Sequence, residues 1–393
     1  MHRPFGGTYL EDVPIITLDL TTLTPFVTND VLEYMHKAIR SGEDGDIWKP
    51  HESPLIRKLI ELFTQRGLLH IASVRSAIEA WESGANHTAG NPQPKPPVGT
   101  MTVWTDEERE LVDLYLRSLP LSSWQLEDHF LAVELTVQTY MPKDTLIAEA
   151  DWLATKASLM GKVEANWHKK VNASEASKII QALPNTKDQL SGIPLSKIEQ
   201  TQLKFAAARA AESVVNLADN TRKMMRSVIL KHEQNRQLGL PAPSTSLQSE
   251  LFDNFSTLNR DWRRIAITEA GECQLQGFIA AVKPFTKVER VEMYGSACPF
   301  CKKIHGRVAE VVPADHPNKD PETQIWPGKN NIGRSASPYK RVGGQLIKRS
   351  EEELWWLPAG LAHPHCRGRW VPTTQPEPGD NKEFTDLLEK ILA

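Results

Sequence analysis

Hydrophobic positions in the N-terminal two thirds of the chain recur at helical spacing. After Ser53-Pro54, apolar residues fall at 55, 56, 59, 60 and 63, which predicts a helix that begins at the serine cap and ends at Gly67. Thr105 and Glu108 have the spacing of a capping box ahead of another helix. Further helices are predicted over about 68–83, 123–140 and 144–183.

A long uninterrupted segment follows. Ser196 and Glu199 have the spacing of a second capping box, and no proline or glycine appears from there to about Gln237. This predicts one helix of about 40 residues, roughly 60 Å long. Its alanine-rich part, 205–211, predicts a seam where a neighbouring helix approaches closely. Two more helices are predicted over about 246–257 and 260–282.

The pattern changes from Val282 onward to short runs with β character, interrupted by a polar insertion rich in proline and glycine at 313–344. Such a small β module needs a brace besides its own core. The runs are Lys287–Met293, Arg307–Val312, Gln345–Lys348 and Arg369–Val371.

The last predicted element is a short amphipathic helix. Its apolar stripe has i, i+3, i+4, i+7 spacing, and a free helix of about 11 residues is marginal in water. It therefore docks either into a groove of a partner or back on its own chain. The stripe consists of Phe384, Leu387, Leu388 and Ile391.

The predicted fold class is α+β: a mainly helical N-terminal region with long helices, followed by a small β-rich module braced by zinc. The stretch 91–104 contains four prolines between Asn91 and Gly99, which favours a linker. The predicted organisation is a helical region at 1–90, this linker, a helical domain at 105–282, a β module at 283–371, a linker at 372–381 and the terminal helix at 382–393.

Composition excludes several classes of protein. The 393 residues carry a net charge of only −3, and no run approaches the roughly 20 apolar residues that a membrane-spanning helix needs. Four cysteines are too few for a disulfide framework in a chain of this length. Charge is nevertheless uneven, because residues 281–371 contain 15 Lys and Arg against nine Asp and Glu. The near-neutral total therefore hides a basic C-terminal module.

Cysteine and histidine are concentrated in the same module. Cys298-Pro-Phe-Cys301 and His363-Pro-His-Cys366 each place two donors with two residues between them, a spacing that lets both reach one tetrahedral ion. The predicted zinc ligands are Cys298, Cys301, His363 and Cys366, with His365 and His305 as alternates.

Other interpretations of these cysteines stay open. A CxxC pair can be a redox motif, although that motif normally lies in a βαβ context, and the cysteines could also be unliganded. Catalytic zinc is less favoured than structural zinc, because the chain has neither an HExxH nor an HxE motif. Cys273, on a predicted helix, is expected to be a small buried apolar residue.

Four sequence blocks, in order, resemble the phage Mu F-like minor head proteins, also called phage head morphogenesis proteins. Arg264–Glu269 is similar to the family's helical R-x-I-A-R-T-E segment. A strand-like stretch ending in Cys298–Cys301 comes next, and Ile304–Val308 is similar to its L-D-G-x-V block. His363–Arg367 resembles its H-P-x-C-R-C ending. The resemblance covers about residues 260–372.

The chain departs from this family pattern at three positions. Ile267 stands where the family has arginine, His305 where it has aspartate, and Gly368 where it has the last cysteine. The last change favours a Cys₃His ligand set over Cys₄. The resemblance implies a protein of the phage particle, inside the capsid or at the portal vertex, that assembles in the host cytoplasm with the portal protein and with scaffold or major capsid protein.

Basic residues flank the proposed metal ligands and could hold DNA phosphates without sequence preference, or could be a solvated face. They are Lys302, Lys303, Arg307, Arg367 and Arg369.

Two other functions remain as alternatives. The run Asp315-His316-Pro317-Asn318 beside a CxxC is similar to HNH-type nuclease sites, which would make the protein a zinc-dependent nuclease or toxin carried with the particle. The last alternative is a zinc-ribbon adaptor that binds DNA.

Overall fold

The computed structural model describes residues 53–88, 90–100, 102–167, 169–241, 246–292, 297–373 and 381–393. These all belong to one compact unit, His51–Ala393. Most of the predicted N-terminal region and part of the linker at 372–381 lie outside the described residues. The helices are α1 Pro54–Glu82, α2 Asp106–Ser118, α3 Leu126–Tyr140, α4 Lys143–Asn166, α5 Ala173–Ala182, α6 Lys197–Gln237, α7 Leu247–Ala281, α8 Pro299–Ile304 and α9 Lys382–Leu392. The strands are β1 Lys287–Val291, β2 Val308–Val311, β3 Gln324–Ile325, β4 Tyr339–Val342, β5 Gln345–Lys348 and β6 Arg369–Pro372.

The first helix does not end at Gly67, so that prediction is wrong. Helix α1 runs unbroken for 29 residues, from Pro54 to Glu82. A Cβ atom at Gly67 would overlap the indole of Trp262 on α7, whose Nε1 donates to the Phe63 carbonyl at 3.0 Å. The glycine therefore allows α1 and α7 to pack closely. Its weak helix propensity does not end α1, which continues through it.

A second pair of glycines brings α4 and α7 into backbone contact. A Cβ atom at Gly161 would overlap the Gln274 carbonyl, and one at Gly277 would overlap the Ser158 carbonyl. Helices α4, α6 and α7 pack on one another, and α1 packs on α7. The body of the protein is therefore a bundle of long helices. Its closest helix crossing depends on the two glycines, which have no Cβ atom.

The predicted long helix is confirmed. Helix α6 has 41 residues, and both hydrogen bonds of the Ser196–Glu199 capping box are present at its start. In its alanine-rich part Ala206, Ala207 and Ala210 are buried, as expected for a seam. The next helix is longer than predicted: α7 is a single helix of 35 residues where two were expected. No described helix is long and apolar enough to cross a membrane.

The β module is a small mixed sheet with the strand order β3-β2-β1-β6. Strand β1 pairs antiparallel with β2 and β6, while β2 pairs parallel with β3. Its inner face is continuous with the helical core, since Val288, Val311, Ile325 and Trp370 form one buried cluster with Phe278 of α7. Strands β4 and β5 form a separate two-stranded hairpin. The predicted α+β class, long helices followed by a small sheet module with a Cys/His cluster, is confirmed.

The terminal helix docks on its own chain. Phe384 and Leu388 of α9 have no exposed surface, and α9 packs against α5. At its start the Asn381 side chain donates to the Asn166 side chain at 2.7 Å. The predicted stripe is therefore not a free docking surface in this structure. Packing on the chain's own helices removes its apolar area from water without a partner protein. The stripe consists of Phe384, Leu387, Leu388 and Ile391.

Candidate metal centre

The two halves of the centre come from two turns at one end of the sheet. Cys298 caps the short helix α8, with Pro299 at its first position, and the Cys298 sulfur accepts from the Cys301 amide at 3.4 Å. His363 and Cys366 lie in the turn that leads into β6, where the His363 carbonyl accepts from the Cys366 amide at 3.1 Å. The fold thus joins two pairs of donors that are separated by 61 intervening residues in the sequence.

Three of the separations between the donor atoms are close to those of a tetrahedral metal site. His363 Nε2 lies 3.3 Å from Cys298 Sγ and 3.2 Å from Cys301 Sγ, and Cys301 Sγ lies 3.8 Å from Cys366 Sγ. Metal bonds of about 2.3 Å to sulfur and about 2.0 Å to nitrogen give tetrahedral edges of about 3.8 Å and about 3.5 Å. The cluster Cys298, Cys301, His363 and Cys366 could therefore hold a metal ion such as zinc.

The tautomer of His363 suits this role. Its Nδ1 lies 2.7 Å from the Pro364 carbonyl, which can only accept a hydrogen bond, so Nδ1 carries the proton. The unprotonated Nε2 then faces the sulfur atoms, as in other metal-binding histidines whose second nitrogen is held by a carbonyl. The ring stacks on Trp355 at 5.5 Å between centroids, and Trp355 in turn contacts Phe300 of α8.

The Cys366 thiol is poised to lose its proton. A hydrogen bond with Cys301 contributes most to lowering its pKa well below the usual value, and the Arg290 guanidinium acts in the same direction, although burial opposes both. Arg290 Nη2 lies 3.6 Å from Cys366 Sγ. Metal ligands must be thiolates, so this environment favours the ligating form.

A buried ion pair behind Cys366 was missed by the sequence reasoning. Arg290 Nε donates to Glu292 Oε1 at 2.8 Å, and neither side chain is exposed. Burial alone would lower the pKa of Arg290, but Glu292 and Cys366 outweigh it and raise that pKa. Arg290 also donates to the Gly360 carbonyl at 3.0 Å. Positions 290 and 292 are two apart in the predicted strand Lys287–Met293 and so share a face there, which was the available signal in the sequence.

Glu292 belongs to a second group of donors. Its carboxylate oxygens lie 3.6 Å from Cys366 Sγ, and Glu292, Cys301 and Cys366 form a triad that shares Cys301 with Cys298 and His363. Gly368 lies against this carboxylate, and a Cβ atom there would overlap it. The position at which the resembled family has its last cysteine thus has no room for a side chain, because Glu292 fills the space.

The alternate ligands His305 and His365 do not join these groups among the described residues. His305 Nδ1 accepts from the Glu292 amide at 3.2 Å. His365 has left-handed backbone geometry, φ 65°, and its amide donates to Thr268 Oγ1 at 3.1 Å. Both histidines therefore shape the loops around the centre. Cys273 is fully buried on α7, and burial raises its pKa to about 12, as expected of a small apolar residue.

The five predicted basic residues differ in exposure and in their partners. Lys302 and Lys303 are exposed on α8. Arg307 binds Glu322 at 3.0 Å, whereas Arg369 lines a small cavity beside Glu164 of the helical body. Arg367 is half-buried in the turn after Cys366. Of these five residues, Lys302 and Lys303 are the exposed ones, and both follow Cys301 directly in the chain.

The nuclease-like run 315–318 also lacks metal partners in the described part of the chain. His316 packs edge-on against Phe285, with ring centroids 5.9 Å apart, and it belongs to neither group of donors.

Comparison of the chain with protein-family models, with curated proteins and with solved structures finds no match in any of the three.

Proposed function

We propose that this chain is a minor head protein of a tailed bacteriophage, similar to the Mu F-like proteins, and that it acts in head assembly rather than in catalysis. The observation that carries the proposal is the meeting of the family-like sequence blocks. Cys298–Val308 and His363–Arg367 are far apart in the chain but supply the donors of one centre. Thr268 of Arg264–Glu269 accepts from the His365 amide between two of these donors.

The helical block has a specific part in this arrangement. Thr268 accepts from the backbone of the His363–Cys366 turn, while Glu269 binds Arg209 of the long helix at 2.8 Å and accepts from Ser213 at 3.0 Å. One turn later, Glu272 accepts from the Leu361 amide at 2.5 Å. The block thus links the metal-binding turn to α6, which supports a common structural purpose for the motifs.

We assign zinc to the centre as a structural ion held by Cys298, Cys301, His363 and Cys366. Bound zinc would supply a cross-link between two turns of a module whose sheet is too small to hold them alone, with apparent binding free energy on the order of 10 kcal/mol. Four protein ligands leave no open position for water, which is the arrangement of structural rather than catalytic zinc.

The proposed partners are the portal protein and the scaffold or major capsid protein, inside the capsid or at the portal vertex. Lys302 and Lys303 are the proposed contacts to packaged DNA, since they form an exposed cationic face without sequence-reading geometry. Two such contacts would bind DNA weakly, and the slope of log Kobs against log[salt] would be about −1.8.

The test is purification of particles and procapsids that contain the tagged chain. We expect the chain to co-purify with portal rings and to carry about one zinc per copy by elemental analysis. Absence from both particles and portal complexes would overturn the assembly role. Metal-dependent DNA cleavage would favour the nuclease alternative, and steeply salt-dependent DNA binding without portal binding would favour the adaptor.

A further inference from the structure

The β4–β5 hairpin carries exposed apolar and cationic side chains. Its two-residue turn, Gly343 and Gly344, has positive φ at both positions, 56° and 85°, and keeps the strands twisted together. Tyr339 pairs with Lys348 and Arg341 with Leu346, so these four side chains share one face. We call this face the hairpin surface. Tyr339 is 49% exposed and Leu346 64%.

Two cations of the hairpin surface have no carboxylate partner within the described residues. Lys340 and Arg349 share one carboxylate partner, Glu353, with Arg349 at 3.6 Å. No such ion pair involves Arg341 or Lys348 in that part of the chain. The hairpin surface therefore combines two unpaired positive charges with an aromatic and an aliphatic side chain.

Helix α2 presents the complementary surface. Glu107, Glu110, Leu111 and Leu114 are exposed at helical spacing on one face, and Leu111 and Leu114 are 53% and 57% exposed. We call these four residues the α2 surface. Asp106 and Asp113 pair with arginines of their own helix and Glu108 caps it, but Glu107 and Glu110 have no cationic partner among the residues described.

We propose that the hairpin surface of one copy of this chain docks on the α2 surface of a second copy. Each surface offers two unpaired charges of one sign beside two large apolar side chains, and the signs are opposite. A protein partner is favoured over nucleic acid, because phosphates would satisfy Arg341 and Lys348 but would leave Leu346 without an apolar neighbour. The inference does not rest on the proposed phage role.

The contact is heterologous, since it joins different surfaces of two identical chains. Such contacts generate rings when the rotation closes and open chains when it does not. A hairpin against one helix face buries less than the roughly 1,200 Å² of a stable complex, so each contact is weak alone and is strengthened by ring closure. We expect association in the micromolar range.

Charge reversal with mixing tests the pairing. One variant carries Arg341→Glu and Lys348→Glu, the other carries Glu107→Arg and Glu110→Arg, and the control carries Lys204→Glu and Lys223→Glu on exposed positions of α6. Sedimentation velocity of full-length protein over a wide concentration range measures association. We expect each surface variant alone to associate at least about tenfold more weakly than wild type, because like charges then face each other. The control should match wild type.

Mixing the two surface variants should restore association to within about threefold of wild type, since the reversed charges are again opposite. Wild-type protein that stays monomeric throughout the concentration range would overturn the proposal, as would reversal variants that associate normally. Failure of the mixture to recover would show that these two surfaces do not meet. Loss of binding to duplex DNA with unchanged self-association would assign the hairpin to nucleic acid instead.

Discussion

The buried pair Arg290–Glu292 gives a prediction whose order of effects is fixed by electrostatics. Arg290 contacts both the Glu292 carboxylate at 2.8 Å and the Cys366 sulfur at 3.6 Å, and the sulfur would be a second anion if the proposed zinc ion were bound. Replacing Arg290 with methionine removes the cation that contacts both groups and leaves the carboxylate and the sulfur 3.6 Å apart. At an effective dielectric constant of about 20, their repulsion is about 4–5 kcal/mol. Zinc affinity of Arg290→Met should therefore fall by roughly 1,000-fold.

Replacing Glu292 with glutamine should cost less. Arg290 then keeps the Cys366 thiolate and the Gly360 carbonyl as partners, so its charge is not left alone. The expected loss of zinc affinity is about 10–100-fold, the usual effect of removing an outer-sphere partner. The double variant Arg290→Met/Glu292→Leu removes both charges and should bind zinc more tightly than Arg290→Met alone.

Competition with a chromophoric chelator measures all three dissociation constants. Glu289→Gln on the same strand is the matched control, because its side chain is only half-buried, and it should bind zinc like wild type. The absorption of cobalt-loaded protein should report the same number of thiolate ligands in each variant. If Glu292→Gln binds more weakly than Arg290→Met, or if the double variant is the weakest, the charge balance described for the centre is wrong.

Three further predictions concern the metal, the helix crossing and a buried lysine. Zinc removal should expose amides of the β module to hydrogen exchange and leave the helices protected. Loss of protection in both, or in neither, would contradict the proposed zinc cross-link between the two turns. Gly161→Ala should lower the free energy of unfolding by about 3 kcal/mol in urea denaturation, because the new methyl overlaps the Gln274 carbonyl, whereas Gly90→Ala meets open space and should not. Lys156 is 1% exposed, and burial, with a smaller contribution from Arg66, lowers its pKa to about 7. Because the unfolded chain still binds that proton up to a pH of about 10, stability should rise between pH 7 and pH 10, by at most about 1.4 kcal/mol per pH unit. Lys156→Met should remove this rise, and an unchanged slope would exclude Lys156 as its source.

Sequence patterns were sufficient where local physics decides the structure. The capping box at Ser196 and the absence of helix breakers predicted α6 almost to its ends. They failed at Gly67, because a glycine that ends a helix and a glycine that admits a neighbouring indole look alike until the neighbour is known. Trp262 lies far along the chain, on α7. Only the tertiary fold brings the two together.

The candidate metal centre, too, could be predicted from the sequence only in part. Spacing alone predicted the candidate donors Cys298, Cys301, His363 and Cys366, since two pairs with two intervening residues are a local signature. The ion pair Arg290–Glu292 has no comparable sequence signature, because two charged residues two positions apart are common in strands. Their burial depends on the Gly360 carbonyl and the Cys366 sulfur, which Arg290 contacts only in the folded chain. Their burial is intelligible only together with the cysteine they face.

Gly368 connects these observations. Where the resembled family has a fourth cysteine, this chain has no side chain, and the carboxylate of Glu292 occupies the space. A thiolate there would add negative charge to a region that already holds Cys301 and Cys366, whereas Glu292 brings its own cation, Arg290, at 2.8 Å. The glycine at 368 and the buried pair thus form one unit. Gly368→Cys should therefore weaken zinc binding and should not supply a fourth sulfur ligand, unless the same variant also replaces Glu292 with a shorter residue. Tighter zinc binding by Gly368→Cys alone would contradict this expectation.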